Sequence, residues 1–142
     1  MNIETRKNFK KFIKIPTRWM DNDVYGHINN VVYYSYFDTA INTFLIQNKV
    51  LDYHAGNFIG LVVENSCTFF SSIKFPDELD IGIRVAHVGN SSVRYEIGIF
   101  VDSQFETSAI GYFVHVYVDR KNHKPIKIDK NFRSILEKIK IN

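Results

Sequence analysis

The sequence is poor in the residues that staple or punctuate a chain. It has one cysteine, three prolines and seven glycines in 142 residues. A single cysteine forms no internal disulfide, so burial and hydrogen bonding must hold the fold, as suits a reducing compartment. That cysteine, Cys67, lies in the apolar stretch VVENSCTFF and reads as a buried, inert thiol rather than a nucleophile. No apolar run approaches the roughly 20 residues that a membrane-spanning helix needs. The opening MNIETRKNFKKFIKIP has no apolar core followed by a small-residue cleavage site, so no secretory signal is expected. These absences together give a cytoplasmic expectation, with no membrane partner.

Charge of one sign is also lacking. Eighteen basic residues against 15 acidic ones leave a net charge of +3, too little to imply a nucleic-acid partner. The positives gather at the ends, with Lys7, Lys10, Lys11 and Lys14 at the start and Arg120, Lys121, Lys124, Lys127, Lys130, Arg133, Lys138 and Lys140 at the finish. They read as two solvated, partly frayed ends, in preference to an attraction for a phosphorylated ligand. There is no Gly-rich phosphate loop and no G-x-S-x-G nucleophile elbow. His87, His115 and His123 lack metal-ligand spacing. No metal and no other cofactor is expected.

What the chain does have is apolar and aromatic mass, 45% and 15% of residues. That is enough for one domain with a sizeable core. A single domain over residues 1–142 is expected, its core at about 9–120 and a basic C-terminal segment at 121–142. A first strand is read at about 9–18, placed at an edge by Pro16. A helix follows from about Asn30 to Gln47, on the stripe Tyr33, Phe37, Ala40, Ile41 and Phe44. Val31, Tyr34 and Leu45 widen the stripe, and Asn29 or Asn30 can cap it. Asp38 interrupts the apolar surface and needs a partner if buried. After a loop at 48–59, the continuous apolar run from Gly60 to Phe70 reads as a buried strand. Three alternating runs follow: Leu79, Ile81, Ile83 and Val85; Val93, Tyr95, Ile97, Ile99 and Val101; and Ile110, Tyr112, Val114, Val116 and Val118, each set on one face. Turn signals at Gly89-Asn90 and Asp102-Ser103 make neighbours antiparallel. A short amphipathic helix is expected at 130–140. The class is α+β, an antiparallel five-stranded sheet around one long helix. So apolar a helix should need a second copy of the chain to finish its burial, so at least a homodimer is expected, with a homotetramer as its further assembly.

The densest chemistry lies just before the helix, in Asp21-Asn22-Asp23-Val24-Tyr25-Gly26-His27-Ile28-Asn29-Asn30. Free amides and the positive end of a helix N-terminus stabilise developing negative charge. A neighbouring carboxylate or imidazole can activate water or attack a carbonyl.

From Arg18 to Tyr33 the sequence resembles the signature of the hotdog-fold thioesterases, and more narrowly their 4-hydroxybenzoyl-CoA thioesterase-like branch. The pattern is D-x-D-x-x-G-H-V-N-N-x-x-Y, opening the central helix of a hotdog fold. The resemblance implies an acyl-CoA thioesterase that hydrolyses a fatty or aromatic acyl-CoA to the free acid and CoA. It also leaves open an acyl-carrier-protein thioesterase or a non-catalytic module that binds acyl thioesters. It implies Asp23 as nucleophile or base, the backbone amide near Asn30 as oxyanion donor, and His27 in a secondary role. Tyr25 stands where the plant acyl-carrier-protein enzymes have Asn, so their Asp-Asn-His scheme is incomplete here. Gly26 lets backbone approach the ligand with positive φ. Substrate-binding residues are read as Tyr25, Gly26, Tyr33, Glu64 and Lys74. Lys74, in the segment Ser71–Pro76, is a candidate phosphate contact, as is Arg84 or Arg94. Glu64 lies near the expected dimer seam, where a satisfied strand polar residue is its other reading. Asp21 reads as scaffolding for Arg18 or the loop backbone.

Overall fold

A computed structural model describes residues 1–141; the last residue of the expected domain span, Asn142, lies outside the described residues. The order of elements is β1 (Lys11–Pro16), α1 (Asn30–Gln47), β2 (Phe58–Phe69), β3 (Glu78–Val88), β4 (Ser92–Val101), β5 (Ala109–Asp119) and α2 (Lys130–Glu137). All strand pairs are antiparallel, in the order β1-β3-β4-β5-β2. This is the expected hotdog architecture, with α1 lying across the inner face of the sheet. Pro16 sits on β1, an edge strand.

Helix α1 matches its expected bounds, because its cap and its period agree. Asn29 is the N-cap and its side chain accepts the Val31 N–H. Tyr33, Tyr36, Phe37, Ala40, Ile41, Phe44 and Leu45 are buried against Ile81, Ile83, Ile97, Ile99 and Phe113 of the sheet. The remaining flank is mostly polar. Ser35, Asp38 and Thr39 are exposed, and Asp38 is met by the Asn42 side-chain amide at 3.2 Å. One chain therefore buries most of the helix, and little of it is left for the second copy expected to finish its burial.

The unburied apolar surface lies instead on β2. The run at Gly60 to Phe70 is not a buried strand. Leu61, Val62 and Val63 are exposed, because β2 is the far edge of the sheet and little of α1 covers it. A bulge between Val62 and Glu64 switches which side chains face inward.

The outer face of the sheet is not open either. On β5, Ile110, Tyr112, Val114, Val116 and Val118 do share a face, but α1 packs on the other one, which carries Phe113 and Tyr117. Residues 4–9 strap the outer face. Gly82 and Gly98 are paired across β3 and β4, and Phe9 lies on both. A Cβ at Gly82 would come within 2.8 Å of the Phe9 ring, and one at Gly98 within 2.6 Å. Beside this seat, Arg84 pairs with Glu4 at 2.6 Å and Glu96 at 2.8 Å. Asp80 pairs with Arg6 at 2.7 Å and Lys14 at 3.0 Å. Burial pushes the Asp80 carboxyl up, but these two cations outweigh it and hold it below 3.8. The basic C-terminal segment is also integral to the core. Ile128, Phe132, Leu136 and Ile139 are buried, Phe132 stacks on Phe58, and the Ile141 N–H donates to the Val85 carbonyl at 2.9 Å. Neither end matches the frayed reading, because aromatic and aliphatic side chains interleave with the lysines at both.

Candidate active site

The loop before α1 is built around two aspartates with different roles. Asp21 is 1% exposed. Its carboxylate accepts the Arg18 N–H at 2.9 Å, the Arg18 Nε–H at 3.1 Å and the Tyr36 hydroxyl at 2.7 Å. Burial raises its pKa, but the Tyr36 and Arg18 hydrogen bonds more than offset this and leave it below 3.8. The same contact, with burial as the larger cause, raises the Tyr36 hydroxyl. The Asp21 carbonyl also accepts the Asn29 N–H at 2.9 Å. Asp21 thus ties the loop to the first turns of α1.

Asp23 is turned toward solvent space instead. Its Oδ1 accepts the Tyr25 N–H at 2.8 Å and, more weakly, the His27 N–H at 3.5 Å. Its own N–H donates to the His27 carbonyl at 2.8 Å. Gly26 closes this turn at φ +83°, a conformation that costs a side-chain-bearing residue energy. The loop therefore fixes the carboxylate by one oxygen, while Oδ2 has no partner among the described residues.

At the start of α1, Asn29 takes the Val31 N–H on its side chain and the Val32 N–H on its carbonyl. The Ile28 N–H goes to the Ile73 carbonyl at 2.8 Å. The Asn30 N–H is left without an acceptor among the described residues. A free amide at the positive end of an 18-residue helix is a ready donor to an anion.

Asp23, His27, Asn30 and Tyr33 meet on one open cavity of about 390 Å³, completed by Ile28, Phe69, Phe70, Ser71 and Ser72. That size suits a small-molecule site. A second cavity of about 410 Å³ shares His27, Ser71 and Ser72 and adds Lys74, Asp77 and Gln104. Four of the expected site residues thus converge, and Lys74 stands next door. Tyr25 is 81% exposed at the loop tip and, with Gly26, contributes backbone rather than cavity wall. Glu64 is not brought to this cavity. It lies on the outer face, where its carboxylate accepts the Tyr112 hydroxyl at 3.0 Å.

Two expected phosphate contacts are also engaged elsewhere. Arg84 is 6% exposed and held by Glu4 and Glu96. Arg94 lies 3.7 Å from the centre of the Tyr112 ring. Cys67 is half-buried, and burial pushes its thiol up to about 12, so little of it is the reactive thiolate.

Of the aromatic wall of the cavity, Tyr33 was expected and Phe69 went unread in the sequence. Phe69 ends β2 on the inner face, paired with Ala109, and meets Tyr33 edge to face at 4.8 Å. Its parity with Cys67 was the available signal, and the continuous apolar run hid it.

Comparison with known proteins bears on the family and the fold. The model of the thioesterase-like superfamily matches residues 17–136. The protein YsmA of Bacillus subtilis (strain 168) is 23% identical over 123 residues, 87% of this chain and 82% of its own. The crystal structure of the PA5185 protein from Pseudomonas aeruginosa strain PAO1 superposes with a TM-score of 0.95 at 46% identity, covering 98% of this chain and 97% of that one. A 1,4-dihydroxy-2-naphthoyl-CoA thioesterase from Synechocystis superposes at 0.79 with 14% identity, covering 88% and 93%, and shares the fold.

Proposed function

This chain belongs to the thioesterase-like superfamily, and from that premise we propose that it hydrolyses an acyl-CoA thioester to the free acid and CoA. One observation carries the reading. A carboxylate with one oxygen tied down and the other free shares a cavity with an unpaired helix-terminal amide.

The chemistry follows from charge. Attack on the thioester carbonyl carbon turns the carbonyl oxygen into an oxyanion. The Asn30 amide donates to that oxygen, aided by the helix dipole. Asp23 acts in one of two ways. As a base, its Oδ2 takes a proton from water while the water oxygen bonds to the carbonyl carbon. As a nucleophile, Oδ2 bonds to that carbon itself, and water then cleaves the resulting anhydride. Either way the carbon–sulfur bond breaks and the thiolate leaves, taking up a proton. His27, between the two cavities, positions the water. Lys74, which lines the adjoining cavity, takes a phosphate of CoA in this reading, and the Synechocystis neighbour, a CoA thioesterase by name, supports a CoA thioester. The Tyr33 ring holds the substrate, while the loop backbone at Tyr25 and Gly26 orients the Asp23 carboxylate.

The working unit is proposed to be a homodimer, paired further as a tetramer, in a cytoplasmic setting. No described helix is long and apolar enough to cross a membrane. The surface that a second copy would cover is β2. Its 12 residues form an unpaired edge carrying exposed Leu61, Val62 and Val63, which pairing with a second copy would cover. Glu64 would then lie beside the seam.

The test is a panel of acyl-CoAs and acyl-carrier-protein thioesters, with wild type and Asp23→Asn. Hydrolysis of acyl-CoA should fall by roughly 100-fold or more in the variant. No turnover by wild type, or full activity in Asp23→Asn, defeats the assignment. Faster turnover of the carrier-bound chain would move the substrate from CoA to carrier protein.

A further inference from the structure

Residues 70–77 join β2 to β3 with no helix or strand of their own, yet they carry part of the site. Ser71 and Ser72 line both cavities, and Lys74 lines the second. A stretch without a hydrogen-bond ladder is only as fixed as its individual ties, and two of those ties run to the loop before α1. The Ile28 N–H donates to the Ile73 carbonyl at 2.8 Å. The Phe75 N–H donates to Oδ1 of the Asn22 side chain at 3.1 Å, across 53 residues of chain. Lys74 stands between these two points, next to each. On the loop side, Asn22 and Ile28 flank the turn from Asp23 to His27 and form an isolated antiparallel bridge with one another. The carboxylate and the lysine therefore ride on two segments stitched together at two places.

The two ties differ in kind. The one at Ile28 is backbone to backbone, whereas the one at Asn22 depends on a side chain. Losing it would not be felt equally at the two ends. Asp23 is held within its own turn, by the Tyr25 N–H on Oδ1 and by its N–H to the His27 carbonyl, and neither contact uses the Asn22 side chain. At the other end, the Lys74 N–H donates to Asp77 Oδ2 at 3.1 Å and the Asp77 N–H donates to the Lys74 carbonyl at 2.8 Å. The Thr17 hydroxyl anchors this turn by donating to the Asp77 carbonyl at 2.6 Å. Without the Asn22 acceptor the turn keeps its shape and its Asp77 anchor, but Phe75 loses the hydrogen bond that draws Lys74 toward the cavity of Asp23. The Trp19 ring also meets Phe75, edge to face at 5.9 Å, but it is 78% exposed and braces the segment less firmly.

We infer that Asn22 is a positioning residue, which through the Phe75 N–H holds Lys74 at the separation from Asp23 that a single CoA thioester spans. This rests on the proposed thioesterase reading and deepens it. One molecule must place its carbonyl on the Asn30 amide and its phosphate on Lys74, so the two segments must keep a set spacing. Asn22 touches neither end of the substrate and acts through Lys74.

The experiment measures kcat and KM for one acyl group carried on CoA and on N-acetylcysteamine, which presents the thioester without the phosphates. Wild type, Asn22→Ala, Lys74→Ala and the double variant are compared. The readout is the ratio of kcat/KM on the CoA thioester to that on the short one, which a general loss of folding or activity does not move. Lys74→Ala should lower the ratio about tenfold, the worth of one charge-assisted hydrogen bond. Asn22→Ala should lower it severalfold, through the KM for acyl-CoA rather than kcat. The double variant should fall no further than Lys74→Ala, since both changes remove the same contact. An Asn22→Ala ratio equal to wild type, or a double variant that falls by the product of the two effects, overturns the inference. An unchanged ratio in Lys74→Ala defeats the phosphate contact and the inference with it. If Asn22→Ala does not fold, Asn22→Ser, whose hydroxyl is one bond shorter than the amide oxygen, decides by the same ratio. Wild type that cleaves neither thioester defeats the thioesterase reading separately. The positioning role is then read from calorimetric binding of CoA itself. Weaker binding by Asn22→Ala and by Lys74→Ala, with no further loss in the double variant, supports it. Equal binding by Asn22→Ala and wild type, or no binding at all, overturns it.

Discussion

Replacing His115 with Phe should remove a specific part of the protein's acid sensitivity. His115 is 3% exposed, among Tyr95, Phe113 and Tyr117 with ring centres 5.2, 5.9 and 6.0 Å away. Its Nδ1 lies 3.5 Å from the Tyr117 hydroxyl, which shares a 2.7 Å hydrogen bond with Tyr95. Its Nε2 has no partner. Burial lowers its pKa from 6.5 to about 4, because an imidazolium there would lose its hydration with no carboxylate to meet it.

The unfolded chain takes up this proton near pH 6.5, whereas the folded one resists until about pH 4. Stability therefore falls as pH drops through that window, a penalty absent above it and complete below it. At 1.36 kcal/mol per pKa unit the loss is roughly 3 kcal/mol, a large part of a typical total of about 5–15 kcal/mol. Asp21 and Asp80, held below 3.8, lose their contribution only at lower pH. Asp38, raised by partial burial, works with the opposite sign, so the variant must be compared with wild type at each pH. Urea unfolding at about pH 7 and about pH 4 should show His115→Phe gaining roughly 3 kcal/mol on wild type between the two. At neutral pH the change should be small, since the lost ring nitrogen had no strong partner. Parallel curves for the two proteins would refute the argument.

Phe9→Ala should empty the seat over Gly82 and Gly98 and cost about 3–5 kcal/mol in urea unfolding. Gly98→Ala should cost about 1–3 kcal/mol by overpacking the same contact. Asp21→Ala leaves the Tyr36 hydroxyl and the Arg18 guanidinium unpaired and should cost about 1–3 kcal/mol. Because the lost carboxylate also tied the loop to Tyr36 on α1, its kcat should fall even where thermal melting shows a folded protein. Val62→Lys places a charge on the exposed β2 edge and should shift the mass in light scattering toward the 16.6 kDa monomer. A wild type that is already a monomer at micromolar concentration defeats the proposed dimer.

The parts legible in the sequence were those governed by neighbours along the chain. Helix α1 could be bounded at Asn30 and Gln47 because a cap and a 3.6-residue stripe specify it locally. The loop from Asp21 to Asn30 could be picked out because a carboxylate, a positive-φ glycine and a helix start need only be a few residues apart. Strand alternation placed β3 and β4 for the same reason. Tertiary structure decided the rest. The run from Gly60 to Phe70 has no alternation, so its composition could not distinguish a buried strand from an edge. That depended on its pairing with β5 alone. Arg84 looks like a surface cation until Glu4, 80 residues away, folds over it. Phe69 is one more phenylalanine in an apolar run until β2 brings it against Tyr33 across the helix start. Residues close together in the chain therefore marked the candidate loop, and long-range packing built the wall that faces it.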